Sequence, residues 1–150
     1  MYRLRPYEVT DIFRADWRPR DKQEIMHWGF EETNKLNDFY MTGPSFTLLW
    51  NHQILLCSGV ITIWEGLGEA WFRGTNLMYE HRKAVKDRTI AVFGAMFRDQ
   101  NFKRIQTTVQ ENWETARRFA EACGMKYEGR MPYYGMTGEH FVRYAITIEE

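Results

Sequence analysis

The chain is poor in cysteine: 150 residues carry two, Cys57 and Cys123, each among apolar neighbours and with no CxxC partner. That removes the ligand sets of zinc fingers and of thioredoxin-type redox centres. Both read as buried free thiols of a reducing compartment, with a bridge between them as the alternative. An excess of charge of one sign is also missing, since 20 basic residues balance 20 acidic ones. No global field steers such a protein toward nucleic acid or an anionic membrane. Long apolar runs are absent as well. The longest, Ile54 to Trp64, is too short to span a bilayer as a helix. Met1 to Pro6 shows no apolar signal-peptide core, so a cytoplasmic protein without a membrane span is the expectation. His27, His52, His81 and His140 have no metal-ligand spacing, and there is no HExxH, Walker loop or Ser/His/Asp signature. No metal is expected.

What is present suits a folded protein. Hydrophobic residues make up 44% and aromatic ones 16% of the chain, enough for one domain spanning residues 1–150. Six tryptophans imply extensive aromatic packing, or a surface meant for a partner.

Periodicity divides the chain into elements. Tyr2 to Arg5 alternates as a short first strand, and Thr10 or Asp11 is placed to cap a brief helix through Ile12 and Phe13. Ile25, Trp28, Gly29 and Leu36 fall on one face of a second helix over 21–36. Ser45–Trp50, Ile54–Trp64 and Glu69–Met78 are rich in β-branched and aromatic residues, and the turns between them predict an antiparallel meander. His81–Gln100 returns to helical period, with Val85, Thr89, Val92, Phe93, Met96 and Phe97 inward. A strand over Arg104–Val109 precedes a helix over Asn112–Ala122. In that helix Trp113, Ala116, Phe119, Ala120 and Cys123 form the apolar stripe, with Glu114, Arg117, Arg118 and Glu121 outside. Gly124 is placed to end it in a left-handed turn. Met125–Gly129 and His140–Ile148 are the last strands, joined by the loop Pro132–Glu139. The order β-α-α-β-β-β-α-β-α-β-β predicts an α/β (α+β) mixed sheet of six to seven strands flanked by about four helices.

The segment from Thr107 to Met125 carries a family resemblance. A strand, an Asn-x-x-x-Ala helix start and a closing glycine place Asn112, Ala116, Phe119, Gly124 and Met125 on a pattern that resembles GNAT acetyltransferases. The likeness extends over nearly the whole chain through the element order. It implies an acyl-CoA N-acyltransferase-like fold, acetyl-CoA as cosubstrate and a primary amine as acceptor. Asn112 would hydrogen-bond the pantetheine arm, with Thr115 and Phe119 beside it; capping the helix is the other reading of Asn112. The same family has a glycine-rich turn whose bare amides and positive helix end cradle the CoA pyrophosphate. Here that stretch includes Leu77, Met78, Arg82, Lys83, Ala84, Val85 and Lys86, and no glycine occurs between Gly74 and Gly94. The cations Arg82, Lys83, Lys86 and Arg88 stand as compensating phosphate ligands or as a solvated helix face.

Catalysis in this family needs a base for the amine and often a tyrosine for the leaving thiolate. Phe119 occupies that tyrosine's usual place. Glu69, Glu80 and His81 are the candidate bases, and Tyr127 is a candidate proton donor. Two functions follow from the resemblance. One is an acetyl-CoA-dependent N-acetyltransferase, possessing full or impaired turnover. The other is a non-catalytic structural or binding protein, similar to small GNAT-like proteins of tailed bacteriophages, located in the host cytoplasm or virion. A homo-oligomer or incorporation in a larger assembly would suit the aromatics of the last hairpin.

Overall fold

The computed structural model describes residues 1–25, 37, 38 and 40–149. His27, Trp28, Gly29 and Leu36 of the predicted second helix lie outside the described residues. Among the described residues there are seven strands: β1 (Tyr2–Pro6), β2 (Ser45–Trp50), β3 (Gln53–Trp64), β4 (Leu67–Gly74), β5 (Arg104–Gln110), β6 (Lys126–Met131) and β7 (Phe141–Thr147). They form one sheet in the order β1-β2-β3-β4-β5-β7-β6. The helices are α1, described over residues 19–25, α2 (Arg82–Asp99) and α3 (Glu114–Ala122). Two 3-10 turns, Val9–Phe13 and Asn76–His81, are also described, and residues 37, 38 and 40 are helical. The sheet has the upper of the two strand numbers expected. The predicted first helix is a 3-10 turn, and Glu8, not Thr10 or Asp11, occupies its N-cap.

Local chemistry explains the hairpins. Asn51 and His52 both take positive φ, 46° and 72°, giving a two-residue turn whose twist matches the flanking strands. At Gly59 an added Cβ would stand 2.6 Å from the Pro44 carbonyl oxygen, so β2 and β3 approach through bare backbone there. The outer strands are blunted against further pairing. β1 carries Arg3, Arg5 and Pro6, and β6 carries Lys126, Glu128 and Arg130 with a register shift between Tyr127 and Gly129.

The chain divides into two compact units, Met1–Ile61 with Ala70–Arg82, and Thr62–Glu69 with Lys83–Glu150. In the first, Leu55 to Val60 of β3 is buried at every position, as in a strand covered on both faces. Cys57 lies in this run, and burial pushes its thiol up to about 12. In the second, Ile105, Val142 and Tyr144 are fully enclosed. Both cysteines are free and buried, as the sequence suggested.

One buried carboxylate ties the start of the first unit together. Asp11 is fully buried, and Arg5 donates to both of its oxygens at 2.8 Å. The Thr47 hydroxyl (2.7 Å) and the Glu8 N–H (3.0 Å) also donate to it. Burial opposes the charge, but these donors outweigh it and hold the Asp11 carboxyl below the usual carboxylate range. A carboxylate depressed in the folded state adds stability that is complete above about pH 4 and is lost as pH falls through the folded value. Asp11→Ala is therefore expected to lower unfolding free energy by about 2–3 kcal/mol at pH 7. Urea denaturation between pH 7 and pH 2 should also show a shallower acid loss in the variant. An equally steep loss in both proteins would remove Asp11 as its source.

Candidate functional site

β5 has a different relation to each neighbour. With β7 it pairs antiparallel along its whole length, from Arg104↔Thr147 to Gln110↔Phe141. With β4 it pairs in parallel, and the ladder covers Leu67↔Arg104, Gly68↔Ile105 and Glu69↔Gln106, although β4 runs on to Gly74. Glu69 thus stands on the last rung. Its Oε1 accepts from Gln106 Nε2 at 3.1 Å and from Arg143 Nη1 at 3.0 Å. Two donors on one oxygen fix the orientation of the carboxylate, and among the described residues Oε2 makes no hydrogen bond. Gln106 accepts in turn from Arg104 Nε at 2.9 Å, and the Arg104 guanidinium forms a two-bonded pair with Glu128. Alternate positions of a strand share a face, so Arg104 and Gln106 of β5 stand in one polar row with Glu69 and Arg143. The sequence named Glu69 but not Gln106 or Arg143. Their alternation with Ile105, Val142 and Tyr144 was the available signal.

The entry to α2 departs from expectation. β4 was predicted to reach Met78, but it stops at Gly74. The Arg18 N–H donates to the Gly74 carbonyl at 2.8 Å, and the Gly74 N–H donates to Asp21 Oδ2 at 3.2 Å. Asp21 Oδ2 also takes the Arg18 Nε at 2.6 Å. With both backbone groups of Gly74 engaged, the chain turns into the Asn76–His81 3-10 turn, which runs directly into α2. Leu77 and Met78 are turn residues, and Met78 is 6% exposed in the core.

The predicted cofactor residues here are variously engaged. The Arg82 guanidinium lies 5.4 Å from the centre of the Tyr79 ring. Lys83 pairs with Asp87 one turn on, at 2.7 Å. Ala84 is half-buried, while Val85 is 1% exposed and points into the core. Lys86 is half-buried, and its charge offsets part of the burial that raises the Cys123 thiol to about 12. Of the proposed bases, Glu80 is exposed. His81 is committed: its Nδ1 shares a 2.7 Å hydrogen bond with the Tyr2 hydroxyl, and its ring packs on Tyr2 and Trp50.

The β5–α3 junction follows the predicted strand, turn and helix, with one shift. Glu111 and Asn112 form a turn, Trp113 is the N-cap and α3 starts at Glu114, so Asn112 is neither helical nor the cap. Asn112 and Thr115 are exposed and Phe119 is half-buried. Gly124 takes φ 95°, and the Met125 N–H donates to Ala120 O at 3.1 Å, the left-handed ending foreseen. Arg117 was placed outside, but it turns inward. Its Nη1 donates to Glu111 O at 3.1 Å and its Nε to the Tyr144 hydroxyl at 3.2 Å. Tyr144, which the sequence reading did not single out, donates to Glu121 at 2.9 Å, and burial raises its phenol. Tyr127 is half exposed and packs edge-on against Tyr144 at 5.9 Å, with Arg117 5.8 Å from its ring centre. Glu69 and Tyr127 therefore belong to one compact unit, and Glu80 and His81 to the other. Among the described residues no cluster of three His, Cys, Asp or Glu could hold a metal, and no helix is long and apolar enough to cross a membrane.

No family model matches the chain, and no curated protein does either. Solved structures do. A GNAT-family acetyltransferase from Bacillus anthracis superposes with a TM-score of 0.73 at 19% identity, over 99% of this chain and 96% of its own. The ribosomal-protein-S5-alanine acetyltransferase from Vibrio fischeri gives 0.69 at 17%, over 99% and 94%. A variant of the spermidine N-acetyltransferase SpeG from Vibrio cholerae gives 0.72 at 14%, over 97% and 93%. The chain has the GNAT fold. At these identities the similarity is one of architecture, and the seven-stranded mixed sheet with its helices is what the structures share.

Two glycines near this GNAT-fold entry should respond oppositely to a methyl group. At Gly74 an added Cβ would meet Arg18 Nε at 2.8 Å and Met78 Cε at 3.0 Å, whereas at Gly94 it meets only the tip of Arg98 at 3.3 Å. Gly74→Ala is expected to cost about 1–3 kcal/mol by forcing the clamp open. Gly94→Ala, inside α2, is expected to gain about 0.5–1 kcal/mol from helix propensity. Chemical denaturation of the two variants reads both signs.

Proposed function

We propose that this GNAT-fold chain is an acetyl-CoA-dependent N-acetyltransferase acting on a primary amine. The observation that carries the reading is the parallel β4–β5 ladder that ends at Glu69↔Gln106, in a chain whose whole length superposes on acetyltransferases. Asn112, Thr115 and Phe119 would flank the pantetheine arm where β5 gives way to α3. Lys86, and Lys83 once parted from Asp87, would meet the phosphates, with Arg82 behind them over Tyr79. Leu77, Met78, Ala84 and Val85 would contribute backbone alone.

Glu69 is the group best built to take a proton. Oε1 is held by Gln106 and Arg143, so Oε2 keeps one direction without reorganisation. As the amine nitrogen bonds to the thioester carbonyl carbon, its proton passes to Oε2. The C–S bond then breaks, and the thiolate takes a proton from water; Tyr127, paired with Tyr144 on the sheet face opposite Glu69, is not placed to supply it. His81 and Glu80 are weaker choices, the first because its Nδ1 is already bonded to Tyr2.

A second reading is a GNAT-fold binding or structural protein without turnover, such as a phage virion component. Three observations favour it: Lys83 is paired, the Val85 side chain fills the core, and phenylalanine stands at 119. A ligand bound only by the folded state raises the melting temperature, by an amount that corresponds to about 2.7 kcal/mol at a hundredfold excess over Kd. Millimolar acetyl-CoA should raise it here, and Lys86→Ala with Asn112→Ala should shrink the rise. Glu69→Gln should keep the rise yet slow thiol release with a panel of primary amines about a hundredfold. No rise with acetyl-CoA would sink the enzyme reading, and a rise without turnover would select the second.

A further inference from the structure

The β6–β7 loop contains a residue in a conformation its side chain disfavours. Tyr133 has φ 56°, a left-handed backbone that bulky residues rarely adopt, and its ring is 75% exposed, so core packing does not impose it. What holds it is local. The Tyr133 N–H donates to His140 Nδ1 at 2.9 Å, and the two rings meet edge-on with centres 4.6 Å apart. His140 itself is anchored at the end of β5, where the Glu111 N–H donates to its carbonyl at 2.9 Å. The rest of the loop closes on its own bonds, Gly135 N–H to Glu139 O at 2.9 Å and Gly138 N–H to Gly135 O at 3.0 Å.

We propose that His140 is a pH-operated latch on this loop: the neutral imidazole holds Tyr133 in its left-handed conformation, and the imidazolium releases it. Nδ1 can accept only in the neutral tautomer that carries its proton on Nε2. Protonation puts a hydrogen on Nδ1, both ring nitrogens become donors, and two N–H groups then face each other. With the bond gone, the Tyr133 N–H has no other hydrogen bond among the described residues to oppose relaxation to negative φ. The groups facing the ring are few. Glu111, just past the end of β5, is a carboxylate already bound by Arg130 of β6 at 2.5 and 3.3 Å. Glu139 is turned back into the loop, accepting from the Thr137 N–H at 3.2 Å, and Arg117 donates to the Glu111 carbonyl. The consequence is a change of surface. Tyr133, Tyr134 and Met136, all exposed, are presented in one fixed arrangement above the titration and in another below it.

The test needs neither acetyl-CoA nor turnover, so it stands or falls apart from the acetyltransferase reading. The 15N-labelled full chain is titrated from pH 8 to pH 5, following the His140 ring protons and the Tyr133 amide by NMR. The expected result is one shared midpoint. The Tyr133 amide should lose its hydrogen-bonded shift, and its HN–Hα coupling should move from the left-handed to the extended value. His140→Gln offers an amide oxygen that accepts at every pH, and should keep the Tyr133 resonance at its pH 8 position throughout. A Tyr133 amide that stays fixed while the ring titrates overturns the latch. So does the same movement in a folded His140→Gln protein. Should that variant not fold, the comparison of ring and amide in the parent chain still decides.

Discussion

The clamp on Gly74 determines where β4 ends and how α2 begins. Its N–H and carbonyl are taken by Asp21 and Arg18, groups that are themselves 1% and 5% exposed. Burying two charges costs several kcal/mol of solvation, which their 2.6 Å bond and the Gly74 contact offset. The surroundings are not fully satisfied: among the described residues Asp21 Oδ1, Tyr40 OH, Trp71 Nε1 and Arg73 Nε make no hydrogen bond, although Asp21 Oδ1 lies 3.8 Å from Arg73 Nη1. Each such group costs about 1–3 kcal/mol. A cluster that carries this cost is better explained by the chain path it fixes than by any net stability it adds. An added Cβ at Gly74 would stand 2.8 Å from Arg18 Nε, so the ion pair would have to shift to admit one.

This clamp also explains why the start of α2 can do without glycines. In a glycine-rich turn, bare amides reach a phosphate directly. Here the path from Gly74 is carried by Thr75, whose N–H and hydroxyl both bond to Leu55 O, and by a 3-10 turn locked beneath Met78. Val85 then plugs its side chain into the core. A phosphate at this end of α2 would depend on the side-chain cations Lys83 and Lys86 more than on bare backbone. Such contacts act at longer reach and weaken with salt, unlike a backbone cradle.

Most of the architecture is encoded by local sequence signals. The turn before β3, the strand character of Ile54–Trp64, the apolar stripe of α3 and the left-handed Gly124 are properties of neighbouring residues, and each falls where periodicity and turn chemistry put it, except that Gln53 belongs to β3. What stayed hidden depends on register. That Glu69 meets Gln106 and Arg143 follows from pairings of residues up to 74 apart, which no local pattern encodes. Arg117 reads as solvent-facing because arginine on a helix usually is, but its long stem lets the guanidinium reach Tyr144 and Glu111. The end of β4 was misplaced for the same reason. Thr75 to Met78 has acceptable strand composition, and only Arg18 and Asp21, more than 50 residues upstream, stop it.

The polar row from Glu128 to Arg143 bears differently on the two functions. As structure, such partly exposed pairs contribute little each, about 0–1 kcal/mol. A sheet face could be made as stable with threonines, so stability alone is a weak reason for five linked polar groups. As chemistry, the row does something threonines cannot: Gln106 and Arg143 converge on one oxygen of Glu69 and leave the other unbonded at the point where the parallel ladder stops. A carboxylate held in this way needs no reorganisation to accept a proton, which is what electrostatic preorganisation requires. The glycine-free entry weakens the case for tight phosphate binding, but it leaves this feature untouched. If the proposed acetyltransferase reading holds, its proton-accepting half is better built than its cofactor-binding half.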